Sequence, residues 1–227
     1  MEQYSRIEKI INKDAFLSIK RLSILIVGIG GVGGCALEML ARSGIEKINI
    51  IDFDRFEESN LNRQILSLKN NIGEEKVKVA KKRISMINPL CNVKIYNEKI
   101  NEGFNGIEDE IDYIIDACDD VKAKVALVKY ALKNNIKIIS SCGTGNRLHP
   151  EKLIVTNIWK TNNDPLAKKF RHELKKEGIY YKLPVISSEE KPITKTRGYV
   201  GSISTVPNAA GILLASYVLN DVIKNYL

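Results

Sequence analysis

Cysteine is scarce in this 227-residue chain: there are four, and no two are close enough to make a CxxC pair. A structural zinc of the usual kind needs ligands in short paired spacings, so such a site is excluded. Cys35, Cys91, Cys118 and Cys142 each lie in or beside an apolar segment, the setting of buried, reduced thiols in a cytosolic protein. No cysteine follows Cys142, so the C-terminal third offers no thiolate nucleophile. Only two histidines occur, His149 and His172, and neither has an evident partner, which leaves little for histidine-centred acid–base chemistry. The opening MEQYSRIEKI lacks an apolar signal core and no apolar run reaches membrane-spanning length, so neither export nor an integral membrane segment is expected. Internal repeats and low-complexity tracts are also missing.

Against these absences stands an ordinary globular composition, 44% hydrophobic and 27% charged. The length suits one domain with a substantial core. The net charge of +8 is unevenly spread: residues 160–200 hold ten Lys or Arg against five Asp or Glu, more than half of the excess. That concentration fits a polyanionic partner such as RNA, and a lysine-rich solvated face fits the same count equally well.

The most informative stretch is LSILIVGIGGVG, Leu22 to Gly33. Its apolar run reads as a buried parallel strand, covered on both faces and therefore free of alternation. Gly28 then permits a tight turn, Gly30 lets a phosphate approach the main chain, and Gly33 lets the following helix pack on the strand. The helix N-terminus would aim amide N–H groups at that anion. CALEMLARSG continues as the helix, with Gly44 as its C-terminal cap. Lys47 to Ile51 gives a second strand ending in Asp52, where a nucleotide-binding fold places an acid on ribose hydroxyls.

Beyond Asp52 the pattern leaves that of a dehydrogenase. DFDRFEESNLNRQ packs acids, an Asn and an Arg into a polar loop, and Gly73 and Lys76 precede the helix KVKVAKKRISMIN. Ile111 to Ile115 reads as a third strand running into DACDD, Val121 to Asn134 as a helix, and Ile136 to Ser140 as a further strand closing into CGTGN. Upstream, residues 6–20 form an N-terminal helical arm with Ile7, Ile10, Ile11 and Phe16 on one face. Downstream, Leu153 to Asn157 is a strand, Asp164-Pro165 starts a basic helix that Gly178 stops, and Tyr180 to Ser187 is another strand. Residues 188–199 have no apolar period and read as a mobile crossing loop, and Pro207 opens an apolar, small-residue helix suited to the core or a subunit interface. The alternation predicts an α/β, Rossmann-like, doubly wound and mainly parallel sheet with a mixed C-terminal extension, and a ligand crevice at the carboxyl ends of its strands.

GIGGVG, DFD, NLNRQ, GxxK and DACDD, in this order and spacing, closely resemble the adenylating enzymes of the E1-like superfamily, which includes the ThiF and MoeB proteins. The resemblance implies a nucleotide-binding half over residues 1–145 and a substrate and dimer half over 146–227. It places ATP against Gly28, Gly30, Gly31, Gly33, Asp52 and Asp54, with Gly30 under the phosphates and Asp52 on the ribose, puts Asn60, Arg63, Gln64 and Lys76 around the polyphosphate, and gives Mg²⁺ to Asp119. Arg6 resembles the arginine that dimers of this superfamily insert into the neighbouring subunit's site, so a homodimer is expected. Metal and cations suit the chemistry, because a carboxylate attacking a phosphate brings anion to anion. For Asp119 a helix N-cap is the competing structural role.

The zinc-binding CxxC pairs usual in ThiF and MoeB proteins are absent, as is the crossing-loop cysteine of enzymes that transfer a ubiquitin-like tail or sulfur. The N-terminal arm, DPLAKKFRHELKK, VISSEEKP and SISTVPNAAG instead resemble the branch of tRNA threonylcarbamoyladenosine dehydratases over nearly the whole chain. Some members carry a cysteine where this chain reads KLPVISS. The branch implies ATP-dependent adenylation of the threonyl carboxylate of N6-threonylcarbamoyladenosine in tRNA, then ring closure with loss of AMP, in the cytoplasm. Lys168, Lys169, Arg171, Lys175 and Lys176 would contact tRNA phosphates, and a sulfur-relay protein stays open as a partner. The alternatives are adenylation of a ubiquitin-like sulfur carrier and, from another class, a nicotinamide-dependent oxidoreductase.

Overall fold

The computed structural model describes residues 2–193 and 200–226. One seven-stranded sheet runs through it in the order β3-β2-β1-β4-β5-β7-β6. The strands are β1 (Ser23–Val27), β2 (Lys47–Ile51), β3 (Asn92–Tyr96), β4 (Tyr113–Asp116), β5 (Lys137–Ser141), β6 (Leu153–Asn157) and β7 (Pro184–Ser188). All neighbours pair in parallel except β6 and β7, which are antiparallel. The expected mixed extension is this last pair.

All five residues of β1 are buried because each face of the strand has its own core. Ile24 and Ile26 pack on the side of α1 (Lys13–Arg21), α2 (Gly31–Arg42), α3 (Lys76–Ile87) and α6 (Thr205–Ile223). Leu25 and Val27 pack on the side of α4 (Val121–Lys133) and α5 (Pro165–Lys176). Right-handed crossovers that wind outward from β1 through β2 to β3, and the other way through β4 to β5, put their helices on opposite faces. The chain reverses between β1 and β4, which is where such a sheet opens a crevice at its carboxyl edge.

Local chemistry sets the helix ends. Asn12 caps α1 by accepting from the Ala15 N–H, Asp120 caps α4 through Lys122 and Ala123, and Asp164 caps α5 through Ala167. Gly44 follows α2 with φ of 95°, and the N–H groups of Gly44 and Ile45 reach back to Ala41 and Leu40, closing a Schellman turn. The last helix lies directly on α2. A Cβ on Gly211 would sit 2.4 Å from the Val32 carbonyl oxygen, so only glycine allows the two backbones this close.

Several expectations need correction. β3 is absent from the strands expected above, although NVKIY alternates in character. Ile10 is 80% exposed and does not share the buried face of Phe16. Residues 188–193 are not a mobile loop: Ser188 ends β7, and the buried Glu190 carboxylate accepts from the N–H groups of Leu148 and His149. The remainder of that expected loop, 194–199, lies outside the described residues. Tyr180 to Leu183 precede β7 instead of forming it. The helix Thr205–Ile223 is long and apolar enough to cross a membrane by length and composition, with a mean hydropathy of 1.3, although no such run was expected. Val206, Ala210, Leu214, Ala215 and Val218 are buried in the core with α2, the place of a core helix. His149 does have a partner, Glu151, 2.8 Å from its Nδ1.

Candidate active site

Two adjoining hollows open at the carboxyl edge, on either side of the switch point. The smaller, of about 310 Å³, is lined by the glycine loop after β1, the polar loop after β2, the segment after β3 and the DACDD turn after β4. The larger, of about 920 Å³, lies over the ends of β4 and β5, the loop 142–147, the start of α5 and residues 200–202. Arg63 and Asp119 line both, so they stand at the junction.

The glycine loop is fixed by close backbone contact. Gly28 adopts φ of 86°, and a Cβ there would lie 2.9 Å from the Ala117 carbonyl. On Gly33 it would lie 1.8 Å from the Gly28 carbonyl oxygen, so β1 and α2 meet at this position only without a side chain. Gly30 is the N-cap of α2 and has no side chain to satisfy the first free N–H groups, which leaves them for an anion.

Asp52 is buried at the end of β2, and its two oxygens accept N–H groups from Ile29 and Asp54. The acid therefore ties the glycine loop to the next loop, and its remaining lone pairs face the cavity it lines. Lys76 is buried at the start of α3 with its ammonium 2.8 Å from the Asp54 carboxylate. Asn60 is also buried, its Oδ1 accepting from the Glu57 N–H, which closes the short turn that presents Arg63. Above Gly30, the buried Gln64 Oε1 has no donor among the described residues. An orphaned acceptor beside an open helix N-terminus is the signature of a ligand that brings its own donor.

The Arg63 guanidinium donates to the Ser59 carbonyl at 2.8 Å and to Asn62 Oδ1 at 2.9 Å, and among the described residues no acid pairs with it. Asp120, not Asp119, is the N-cap of α4, so the competing structural role for Asp119 falls to its neighbour. Asp119 is exposed at the junction and makes no ion pair among the described residues. No group of three potential metal ligands occurs among them either. A magnesium ion carried on phosphates needs only one or two protein carboxylates.

The junction rests on a buried pair that the sequence reading missed. Lys124 and Asp116 are both fully buried, with Nζ 3.0 Å from Oδ2 and a further donation to the Ser141 carbonyl. Burial is the largest single influence and pushes the Lys124 ammonium down, but the Asp116 charge, its hydrogen bond and the nearby Cys118 and Cys142 together hold it above its ordinary range. Cys118 and Cys142 line the larger hollow, and burial raises both thiols, aided by Asp116 for the first and by Asp164 for the second. Both are therefore neutral thiols and poor nucleophiles.

Of the predicted site residues, Gly33 packs α2 onto the Gly28 carbonyl without lining either hollow, and Arg6 is not brought in either. It is exposed on the turn between Tyr4 and Asn12 and lines neither hollow. Phe53, Lys99 and Ile100 do line the smaller one, with the Lys99 ammonium 5.5 Å over the Phe53 ring. Phe53 was visible as the apolar centre of DFD, whereas Lys99 and Ile100 follow the overlooked β3.

A model of the ThiF family matches residues 4–223. The chain belongs to the ThiF family. A relative from Bacillus subtilis named tRNA threonylcarbamoyladenosine dehydratase is 37% identical, over 99% of this chain and 96% of its own length. The solved structure of Escherichia coli tRNA N6-threonylcarbamoyladenosine dehydratase in complex with ATP superposes with a TM-score of 0.93 at 31% identity, covering 99% of this chain and 95% of that one. By contrast, a probable molybdopterin-synthase adenylyltransferase of Porphyra purpurea is 42% identical over only 60% of this chain and 37% of its own length. Similarity to the Bacillus subtilis dehydratase thus runs the length of the chain, α5, β7 and α6 included.

Proposed function

We propose that the protein is an ATP-dependent tRNA threonylcarbamoyladenosine dehydratase, working as one adenylation domain. The observation that carries this reading is the junction: Arg63 and Asp119 stand between a nucleotide-sized cavity and a larger polar hollow, and the only thiols there are protonated. Bound ATP supplies an electrophilic α-phosphorus, with pyrophosphate and AMP as successive leaving groups. Gly30 and the α2 N-terminus receive its phosphates, Asp52 and Gln64 its ribose, and Phe53 and Ile100 offer apolar surface to its base. Lys76, held ready by Asp54, and Arg63 neutralise the polyphosphate as the threonyl carboxylate approaches from the larger hollow. Arg63 is the better clamp, since its planar fork grips two phosphate oxygens at once. Asp119 would hold Mg²⁺, which would supply positive charge to offset that of the phosphates.

Ring closure then joins two groups of the same modified nucleoside and expels AMP, so no protein nucleophile is required. This agrees with neutral Cys118 and Cys142 and gives a sulfur-relay partner no role in the chemical step. A homodimer in which Arg6 of a second copy enters the junction would place a further cation there. On α5, Lys168, Lys169, Lys175 and Lys176 are exposed and suited to tRNA phosphates. Arg171 is turned inward, donating to the Thr161 side chain and carbonyl, and is not part of that face.

The second reading, adenylation of a sulfur-carrier protein, is favoured by the Porphyra purpurea similarity. Pyrophosphate exchange separates the two. Exchange into ATP should appear with tRNA bearing N6-threonylcarbamoyladenosine and not with a carrier protein ending in glycine. The opposite pattern would replace the dehydratase reading with the carrier one.

A further inference from the structure

The chain has a single tryptophan, and it lies outside both hollows, at the end of α5 remote from the cleft. Trp159 is half-buried, with its indole N–H donating to the Tyr181 carbonyl at 2.8 Å, which fixes the plane of the ring. Tyr180 stacks on it, with centroids 6.1 Å apart and planes 27° from parallel, and is 70% exposed. Lys175 stands over the same indole at 6.0 Å. An exposed phenol ring laid on an anchored indole serves no evident packing purpose, since most of Tyr180 faces water.

The surroundings are cationic. Lys160, Lys168, Lys169, Lys175 and Lys182 form no ion pair among the described residues. Lys168 and Lys175, two turns apart, are exposed along one stripe of α5 that starts at the capping Asp164. Its start, Asp164, borders the larger hollow, and its end meets Trp159. At 1.5 Å per residue the stripe is about 16 Å long. A stacked nucleic-acid strand advances about 3.4 Å per nucleotide, so about five nucleotides span it.

We infer that Trp159 and Tyr180 form a platform on which an unpaired base of the tRNA substrate stacks, about five nucleotides from the residue held in the cleft. The inference rests on the dehydratase reading and adds to it a second, base-stacking contact. Aromatic faces accept any unpaired base, while neighbouring lysines hold the backbone, a combination that selects single-stranded over duplex nucleic acid. Duplex RNA of equal charge meets the lysines but offers no free base face.

Trp159 itself reports the contact, being the only source of tryptophan emission. Titration with tRNA carrying N6-threonylcarbamoyladenosine should quench that emission, and a fully paired RNA duplex should leave it largely unchanged. Tyr180→Ala, a change at an exposed ring, should weaken tRNA binding roughly fivefold to hundredfold, the range measured for loss of one stacked base. ATP binding should be unaltered in the variant, which shows that the fold persists. The platform is refuted if tRNA binds and is dehydrated while the emission stays constant and Tyr180→Ala binds as tightly as wild type. It is equally refuted if duplex and tRNA quench alike. If wild type neither binds nor dehydrates this tRNA, the dehydratase reading falls first, and the platform with it.

Discussion

Arg63→Ala should lower the single-turnover rate of tRNA-dependent AMP formation roughly a thousandfold, the scale set by removing one preorganised donor from a developing oxyanion. The guanidinium is held by two neutral oxygens, of Ser59 and Asn62, and by no carboxylate among the described residues, so its full charge is free for the substrate. Lys76 differs, because Asp54 already neutralises part of its field. If Arg63 acts on charge that builds only as the two anions meet, ATP affinity should fall far less than the rate. Arg63→Lys should recover part of the loss, since an ammonium keeps the charge but not the bidentate grip. Rapid-quench measurement of AMP reads all three proteins. Equal losses in affinity and rate would make Arg63 a ground-state binder instead.

Lys124→Ala should destabilise the fold by about 3–5 kcal/mol, the cost of leaving one member of a buried ion pair alone. Asp116 is completely enclosed and would lose its only cation, while the Ser141 carbonyl loses a donor. These groups join β4, β5 and α4 immediately beneath the DACDD turn, so the damage falls where Asp119 is presented. Replacing both partners, Lys124→Met with Asp116→Leu, should recover much of the stability, because an apolar pair of similar volume leaves no charge unpaired. Urea unfolding of the three proteins measures this. A double variant as unstable as the single one would show that the hydrogen bond to Ser141, not the charge pair, holds the site together.

The parts of the site legible in the sequence were those fixed by backbone geometry and spacing. Gly28 and Gly33 could be read because a tight turn and a close strand–helix contact leave no space for a Cβ, as the distances of 2.9 Å and 1.8 Å show, whereas at Gly30, where a Cβ would come no nearer than 3.9 Å to its neighbours, the signal was the helix N-terminus kept open to an anion. Asp164-Pro165 and Gly178 likewise marked the ends of α5 through capping chemistry alone. Asp119 and Asp120 were harder, since adjacent acids after a strand look alike until one of them caps the helix. Lys124 was invisible for a physical reason: a lysine in a helix sequence reads as a solvated one, and only the fold brings Asp116 beneath it. β3 was lost because its alternating edge pattern is weaker than the solid apolar runs of β1 and β4. The inward turn of Arg171 arises from the carbonyls of Ile158 and Thr161, which no helical spacing could show.

In the proposed reaction a carboxylate of tRNA is activated at the junction of the two hollows, with Asp119 as the acid that would order the metal there. Nucleoside analysis of tRNA from a strain lacking its own dehydratase, complemented with this protein, tests it most directly. Wild type should restore the cyclic nucleoside, and Asp119→Ala should leave open-chain N6-threonylcarbamoyladenosine. Cyclic product at the wild-type level from Asp119→Ala would contradict the account, as would wild type leaving the tRNA unchanged.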